Sequence, residues 1–248
     1  MEYYGMTDVG IVRNDNQDAY LSVMNNGGDY FHLVCDGIGG GNAGNVASLK
    51  AIQFLGEEFS TTSAFHDLDA AQSWIFAAIQ KVNDYVFTMS KKTLAYEGMG
   101  TTLVGLFIGK SGKFVVNVGD SRAYLLTSTS LIQLTQDHTL AQELYKNGEI
   151  KKNEINSHPK RNVLTNAIGI VSRVLIDFNE VNDGDMVLLC SDGLHGYILE
   201  DSIRRVLQLE DYTLRQKAER LIELANNAGG YDNVTVILID LSEVDNYE

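Results

Sequence analysis

Apolar residues switch between two periods along the chain. Residues 3–12 alternate loosely and predict a first strand. A polar insert, Arg13-Asn14-Asp15-Asn16-Gln17, leads to Asp18 at the head of a second strand that runs to Met24. Asn25 to Asp29 is a tight connection, and Phe31 to Cys35 is a short apolar run that the Asp36-Gly37 step and the glycines after it should break. The spacing then becomes helical. Val46, Leu49, Ile52, Leu55 and Phe59 predict a helix over 45–60. Ile75, Ile79, Val82, Val86 and Met89 predict a second, longer one after Asp67, a candidate N-cap. Gly98-Met99-Gly100-Thr101-Thr102 turns the period back to that of a strand.

Three strands are expected in quick succession, at 102–109, 113–119 and 122–127, with hairpin-sized separators. A helix is expected from Asp137 through Tyr145, ending at Asn147-Gly148. Residues 149–161 are polar and read as an exposed flap of the kind that touches substrates, inside a longer region of about 143–165. Strands are expected again at 162–167, 173–178 and 186–191, then helices at about 199–208 and 212–227, then a last strand over Val234–Ile239. Short turns between neighbouring strands argue for antiparallel pairing, and the paired helices suit the faces of a sheet. The chemistry sits where these patterns break. Asp36, Asp120, Asp192 and Asp232 each lie at a strand end beside glycine. A lone Asp-Gly is a common turn dipeptide. Four such ends that converged would repel one another unless cations offset the charge. All-oxygen ligands select magnesium, manganese or calcium over zinc. Gly37 adds a backbone carbonyl that no side chain covers.

Composition narrows the picture. The 248 residues are 44% hydrophobic, enough for one large domain over residues 1–248 with an acidic tail at 242–248. The net charge of -14 disfavours nucleic acid and anionic membranes as partners. Cys35 and Cys190 lie inside apolar runs and read as buried thiols, which suits a reducing cytoplasm. No signal peptide or membrane-spanning run is present in the sequence, and no long apolar surface stripe is left over, which points to a monomer. Trp74 and Met89 read as core. Arg122 reads as a structural ion pair ahead of a substrate contact, and His32 as a satisfied core histidine.

Eight short motifs, in order from residue 7 to residue 240, carry a family resemblance. They are Gly10-Ile11-Val12-Arg13 with Asn16-Gln17-Asp18, Val34 to Gly40, Gly98 to Thr102, Val118 to Ala123, Thr135 to His138, His158 to Thr165, Ser191 to Leu194, and Gly230 to Thr235. The chain resembles bacterial metal-dependent protein serine/threonine phosphatases of the PPM, or PP2C, type. The resemblance implies an α+β, four-layer α-β-β-α sandwich of two antiparallel sheets flanked by helix pairs. It implies two Mn²⁺ or Mg²⁺ ions: Asp36 bridging both, the Gly37 carbonyl on one, Asp192 and Asp232 on the other. A third, weaker ion would involve Asp120. Asp18 would act through a water of the outer coordination sphere, and Arg13 would grip the substrate phosphate. The implied activity is hydrolysis of phosphoserine and phosphothreonine by direct attack of a metal-bridging water. The implied partners are phosphoproteins and a cognate bacterial kinase.

The motifs also depart from the family's pattern. Ile38 stands where eukaryotic relatives carry a histidine, Gln17 where Glu is common, and Gly41 and Asn45 where bacterial relatives often have His and Glu. These departures imply weaker support around the metals. They are the only support for an alternative, a catalytically silent phosphatase-fold module that binds phosphoproteins. A metal-dependent nuclease or small phosphomonoesterase is a third reading, and the charge speaks against the nuclease. His32, His138 and His158 are the candidate imidazoles for protonating the leaving group, behind a water.

Overall fold

The computed structural model describes residues 1–39, 43–92, 94–181 and 183–242. The chain builds β1 (Tyr3–Asp8), β2 (Asp18–Met24), β3 (Tyr30–Ile38), α1 (Ala43–Ser60), α2 (Leu68–Lys92), β4 (Gly100–Thr101), β5 (Leu103–Gly109), β6 (Gly112–Val118), β7 (Arg122–Leu126) and β8 (Leu131–Gln133). It continues with α3 (Leu140–Lys146), β9 (Asp177–Glu180), β10 (Met186–Cys190), α4 (Asp192–His195), α5 (Glu200–Leu207), α6 (Leu214–Asn227) and β11 (Val234–Asp240). One sheet has the order β1-β11-β10-β7-β8, the other β2-β3-β5-β6-β9 with β4 attached to β3, and every pairing is antiparallel.

The strands are apolar on both faces because both faces are covered. On β3, Phe31, Leu33 and Cys35 join a core under α1 and α2, while Val34 joins the core between the sheets. On β10, Leu188 and Cys190 face α4, α5 and α6, and Val187 and Leu189 face the other sheet. The order of layers is therefore helix pair, sheet, sheet, helix pair, as the resemblance implied. Because side chains alternate along a strand, Asp36 shares the side of Val34, and Ser191 and Thr235 share the side of Leu189 and Ile237. All three point into the gap between the sheets, where the apolar core gives out.

The helices follow their stripes. Ile75, Ile79, Val82 and Val86 of α2 are fully buried, and Asp67 caps the helix by accepting from the Ala70 N–H at 2.7 Å. Thr213 and Gln216 form a capping box on α6. Leu49, counted in the stripe of α1, is 43% exposed.

Some expectations fail. β3 does not break at the Asp36-Gly37 step; it continues to Ile38, because β4 supplies partners to Gly37 and Ile38. Residues 162–167 form no strand, only a single bridge between Thr139 and Leu164. β9 starts at Asp177, four residues later than the expected strand at 173–178. α3 is capped by Thr139, since Asp137 is held by Arg122. Among the described residues no helix is long and apolar enough to cross a membrane.

Candidate metal centre

Asp36 is fixed through its backbone. Its N–H donates to Thr102 Oγ1 at 3.0 Å, and its carbonyl accepts from the Thr102 N–H and the Thr101 hydroxyl, both at 2.9 Å. This is the work of the Gly98–Thr102 segment. Gly37 must be glycine: an added Cβ would run into the Gly44 carbonyl oxygen and lie 2.6 Å from that of Gln17. Asp192 opens α4 directly after β10, and Gly193 packs against the backbone of Asn233. Asp232 precedes β11, and Asp120 follows β6 at the Gly119 turn (φ 101°).

These groups converge. A cleft of about 280 Å³ is lined by Arg13, Asp36, Gly37, Asp120, Asp192 and Asp232, with Gln17, Ile38 and Asn162 among its other walls. Arg13 Nη2 donates to Asp232 Oδ2 at 2.8 Å. Asp18 lies below the cleft, opposite Asp36 in the β2–β3 register. Its Oδ2 accepts from the Ser191 and Thr235 hydroxyls, both at 2.7 Å, so this one carboxylate ties the two sheets together.

The electrostatics disfavour bare charge here and leave room for protons or a counterion. Burial, then the charges of Asp18 and Asp192, hold the Asp36 carboxyl well above its ordinary value. Burial and Asp192 do the same to Asp120. Burial raises Asp18 to about 7 against the pull of its two hydroxyl donors, and burial and Asp232 raise Asp192 to about 6. Asp18 Oδ1 and Asp192 Oδ1 are buried without a hydrogen-bond partner. Orphaned oxygens in a nest of carboxylates fit a hard cation. Among the described residues no three His, Cys, Asp or Glu side chains close into a ready-made cage. The donor set therefore suits ions that retain water ligands, as Mg²⁺ does, alongside carboxylates and a backbone carbonyl.

Sequence reasoning assigned no role to several supporting residues. Asn233 Oδ1 accepts from the Gln17 N–H at 2.8 Å, and its Nδ2 donates to the carbonyls of Val9 and Asp15, both at 2.9 Å. One amide thus holds the loop that carries Arg13. Its place beside Asp232 was the available signal. The His195 Nε2–H donates to the Asp120 carbonyl at 3.0 Å, and burial pushes this imidazole down to about 3, so it stays neutral. Gly193→Ala is expected to cost about 1–3 kcal/mol, because the new methyl meets backbone at Asn233. Urea denaturation checks this, and a parent-like midpoint would show that the Asn233 backbone yields freely.

The other expectations divide. Arg122 forms the structural pair, with Nε to Asp137 Oδ1 at 2.9 Å and Nη2 to Oδ2 at 2.7 Å. Cys35 and Cys190 are free and buried, and burial pushes both thiols up. His32 is in the core, but only Nδ1 is paired, with Ser22 Oγ at 2.8 Å; Nε2 has no partner. His138 is locked by the Gly119 N–H, Asn166 and Asp177, and His158 accepts from the Lys160 N–H. Neither imidazole lines the cleft. Gln17 and Asn45 are placed near the cleft and on α1, and Gly41 lies outside the described residues.

Comparison with known proteins agrees with this geometry. The protein phosphatase 2C family profile matches residues 12–238. The chain belongs to the protein phosphatase 2C family. It is 38% identical to the serine/threonine phosphatase stp of Listeria monocytogenes over 236 residues, covering 94% of this chain and 93% of that one. It is 37% identical to the protein phosphatase PhpP of Streptococcus pneumoniae over 247 residues, covering 99% of each. Among solved structures, the serine/threonine phosphatase Stp1 from Staphylococcus aureus superposes with a TM-score of 0.90 at 33% identity, over 96% of this chain and 94% of that one.

Proposed function

We propose that this chain is a metal-dependent protein serine/threonine phosphatase that hydrolyses phosphoserine and phosphothreonine on other proteins. The observation that carries this reading is the convergence of four strand-end aspartates from two sheets on one cleft beside an exposed arginine. Asp36, the Gly37 carbonyl, Asp192 and Asp232 would hold two Mn²⁺ or Mg²⁺ ions, with Asp120 available to a third. Such ions, when bound, lower the pKa of water and neutralise charge on a phosphoryl group.

The chain's own residues do the rest. Arg13 is 54% exposed at its side chain, so its guanidinium can leave the half-buried Asp232 for the phosphate oxygens. Asp18, bonded across to Ser191 and Thr235, keeps the two halves of the site at one spacing. Among the described residues the 280 Å³ cleft is lined by no histidine, cysteine or lysine, and with its carboxylates engaged by metal the leaving-group proton would come from water. Residues 149–161 act as a flap over the substrate. Arg161 and Asn162 line a second cleft, of about 380 Å³, that adjoins the first at Asp120 and Asp192. The setting we infer is the cytoplasm, with the chain acting as a monomer that opposes a bacterial serine/threonine kinase.

The test is phosphate release from a phosphothreonine peptide with Mn²⁺, with Mg²⁺ and with EDTA, beside Asp192→Ala. Release should need metal and fall at least a hundredfold in the variant, as befits loss of a metal ligand. No release from the folded, metal-loaded parent would leave the silent phosphoprotein-binding module in its place.

A further inference from the structure

Next to Arg13 the surface is unexpectedly apolar. Ile11 and Val12, the two residues before it, are 68% and 58% exposed, and Tyr231, just before Asp232, is 54% exposed. They form one rim. The N–H groups of Ile11 and Val12 donate to the Gly230 carbonyl at 2.8 and 3.0 Å. Ile11 lies against Gly230, where an added Cβ would come within 2.7 Å of its Cγ1. The Tyr231 ring covers Gly229, whose φ of 125° and lack of a side chain let it lie flat there. Tyr197, between α4 and α5, completes the rim: its ring centroid is 5.5 Å from that of Tyr231, at an interplanar angle of 35°. Tyr197 also lines the second cleft together with Asp120, Asp192 and Arg161. The rim is thus continuous with the phosphate-handling end of the site.

Exposed aromatic and aliphatic side chains gathered beside a charged cleft mark a recognition surface. We propose that Tyr197, Tyr231, Ile11 and Val12 form a seat for a large apolar side chain of the substrate, within about three residues of the phosphorylated one, at the roughly 3.3 Å per residue of an extended peptide. The seat rests on the phosphatase reading and names the substrate class it favours. Arg13 fixes the phosphate, and the residues immediately preceding Arg13 place the seat beside it. The charges nearest the rim are of both signs, Asp192 and Asp232 against Arg13 and Arg161, so they favour neither an acidic nor a basic neighbour. An aliphatic or aromatic side chain is what the rim's own surface rewards.

The test uses a peptide set with a non-hydrolysable phosphonate in place of phosphothreonine, binding to the Mn²⁺-loaded full chain. Leu, Ala, Lys or Glu is placed in turn at each of the three positions on either side. Affinity should be about tenfold higher for Leu than for Ala at one position, about 1.4 kcal/mol. That ratio should fall to near one in Tyr231→Ala and return in Tyr231→Leu. Tyr197→Ala, on a different segment, should lower the same ratio, and it decides the matter if Tyr231→Ala disturbs the Asp232 turn. The proposal is overturned by equal affinity for Leu and Ala at every position, by a preference for Lys or Glu, or by a ratio that survives both alanine variants. It is also overturned if sedimentation shows the parent self-associating through a surface that Tyr231→Ala abolishes, since the occupant is then a second copy. Hydrolysis of the matching phosphothreonine peptides is scored separately, so the phosphatase reading and the seat fail independently.

Discussion

Asp36→Asn should lose at least a thousandfold in phosphate release, yet its metal-free form should melt above the parent's. The activity loss follows from removing a carboxylate that would hold metal; about 4 kcal/mol of transition-state stabilisation corresponds to a thousandfold in rate. The gain in stability follows from the same burial. Asp36 is held far above its ordinary value by desolvation and by Asp18, Asp192, Asp120 and Asp232, so its charge is a cost to the metal-free fold. Asparagine keeps the shape and drops the charge. The anchoring bonds to Thr101 and Thr102 use only the backbone of Asp36 and survive the change. Each kcal/mol recovered should raise the melting point by about 2–4 °C for a chain of this length. Melting in EDTA and in Mn²⁺ reads both effects: the parent should gain strongly from metal and the variant little. A variant that melts below the parent in EDTA would show that the aspartates are not in conflict.

In EDTA the parent should be more stable at pH 5 than at pH 8, weakening as pH rises through about 6 and 7. Folding raises the Asp192 carboxyl to about 6 and the Asp18 carboxyl to about 7, with burial the main cause in each case. A carboxyl whose folded pKa exceeds its unfolded value binds its proton more tightly in the fold. The stability it contributes is whole below the unfolded pKa and is lost as pH climbs through the folded one. The loss should be on the order of 2–4 kcal/mol between pH 5 and pH 8. Saturating Mn²⁺ should flatten or reverse the slope, because cations then do the work of the protons. Urea titrations at both pH values, with and without metal, measure it. A metal-free protein that gains stability from pH 5 to pH 8 would contradict the assigned burial.

How much of this was visible beforehand depended on whether the cause was local. Helices α2 and α6 have stripes and caps written into short windows, and the structure follows them. The four strand-end aspartates were visible because each sits where an apolar run starts or stops, three of them next to glycine and Asp232 two residues after one. The extension of β3 through Gly37 was not visible, since its cause is β4, more than sixty residues later. The helix expected from Asp137 starts later, because Arg122 holds the Asp137 carboxylate and Thr139 caps α3. Residues 162–167 are apolar enough for a strand, but only one bridge, at Leu164, finds a partner. Ser191, Thr235 and Asn233 lie inside the motifs, but the motifs do not say what these side chains hold. Their importance comes from facing a carboxylate or a loop more than 170 positions away.

That separation bears on synthesis. Asp18 is made well before its partners Ser191 and Thr235, which follow it by 173 and 217 residues. β1 touches β2 but has no strand to ladder with until β11 is made, since Tyr3 pairs with Ile239 and Asp8 with Val234. A nascent chain that has emerged only as far as β9 carries Arg13 and Asp36 but neither Asp192 nor Asp232. With the proposed metal centre, a polypeptide of that length lacks two of the carboxylates that would hold metal and should release no phosphate.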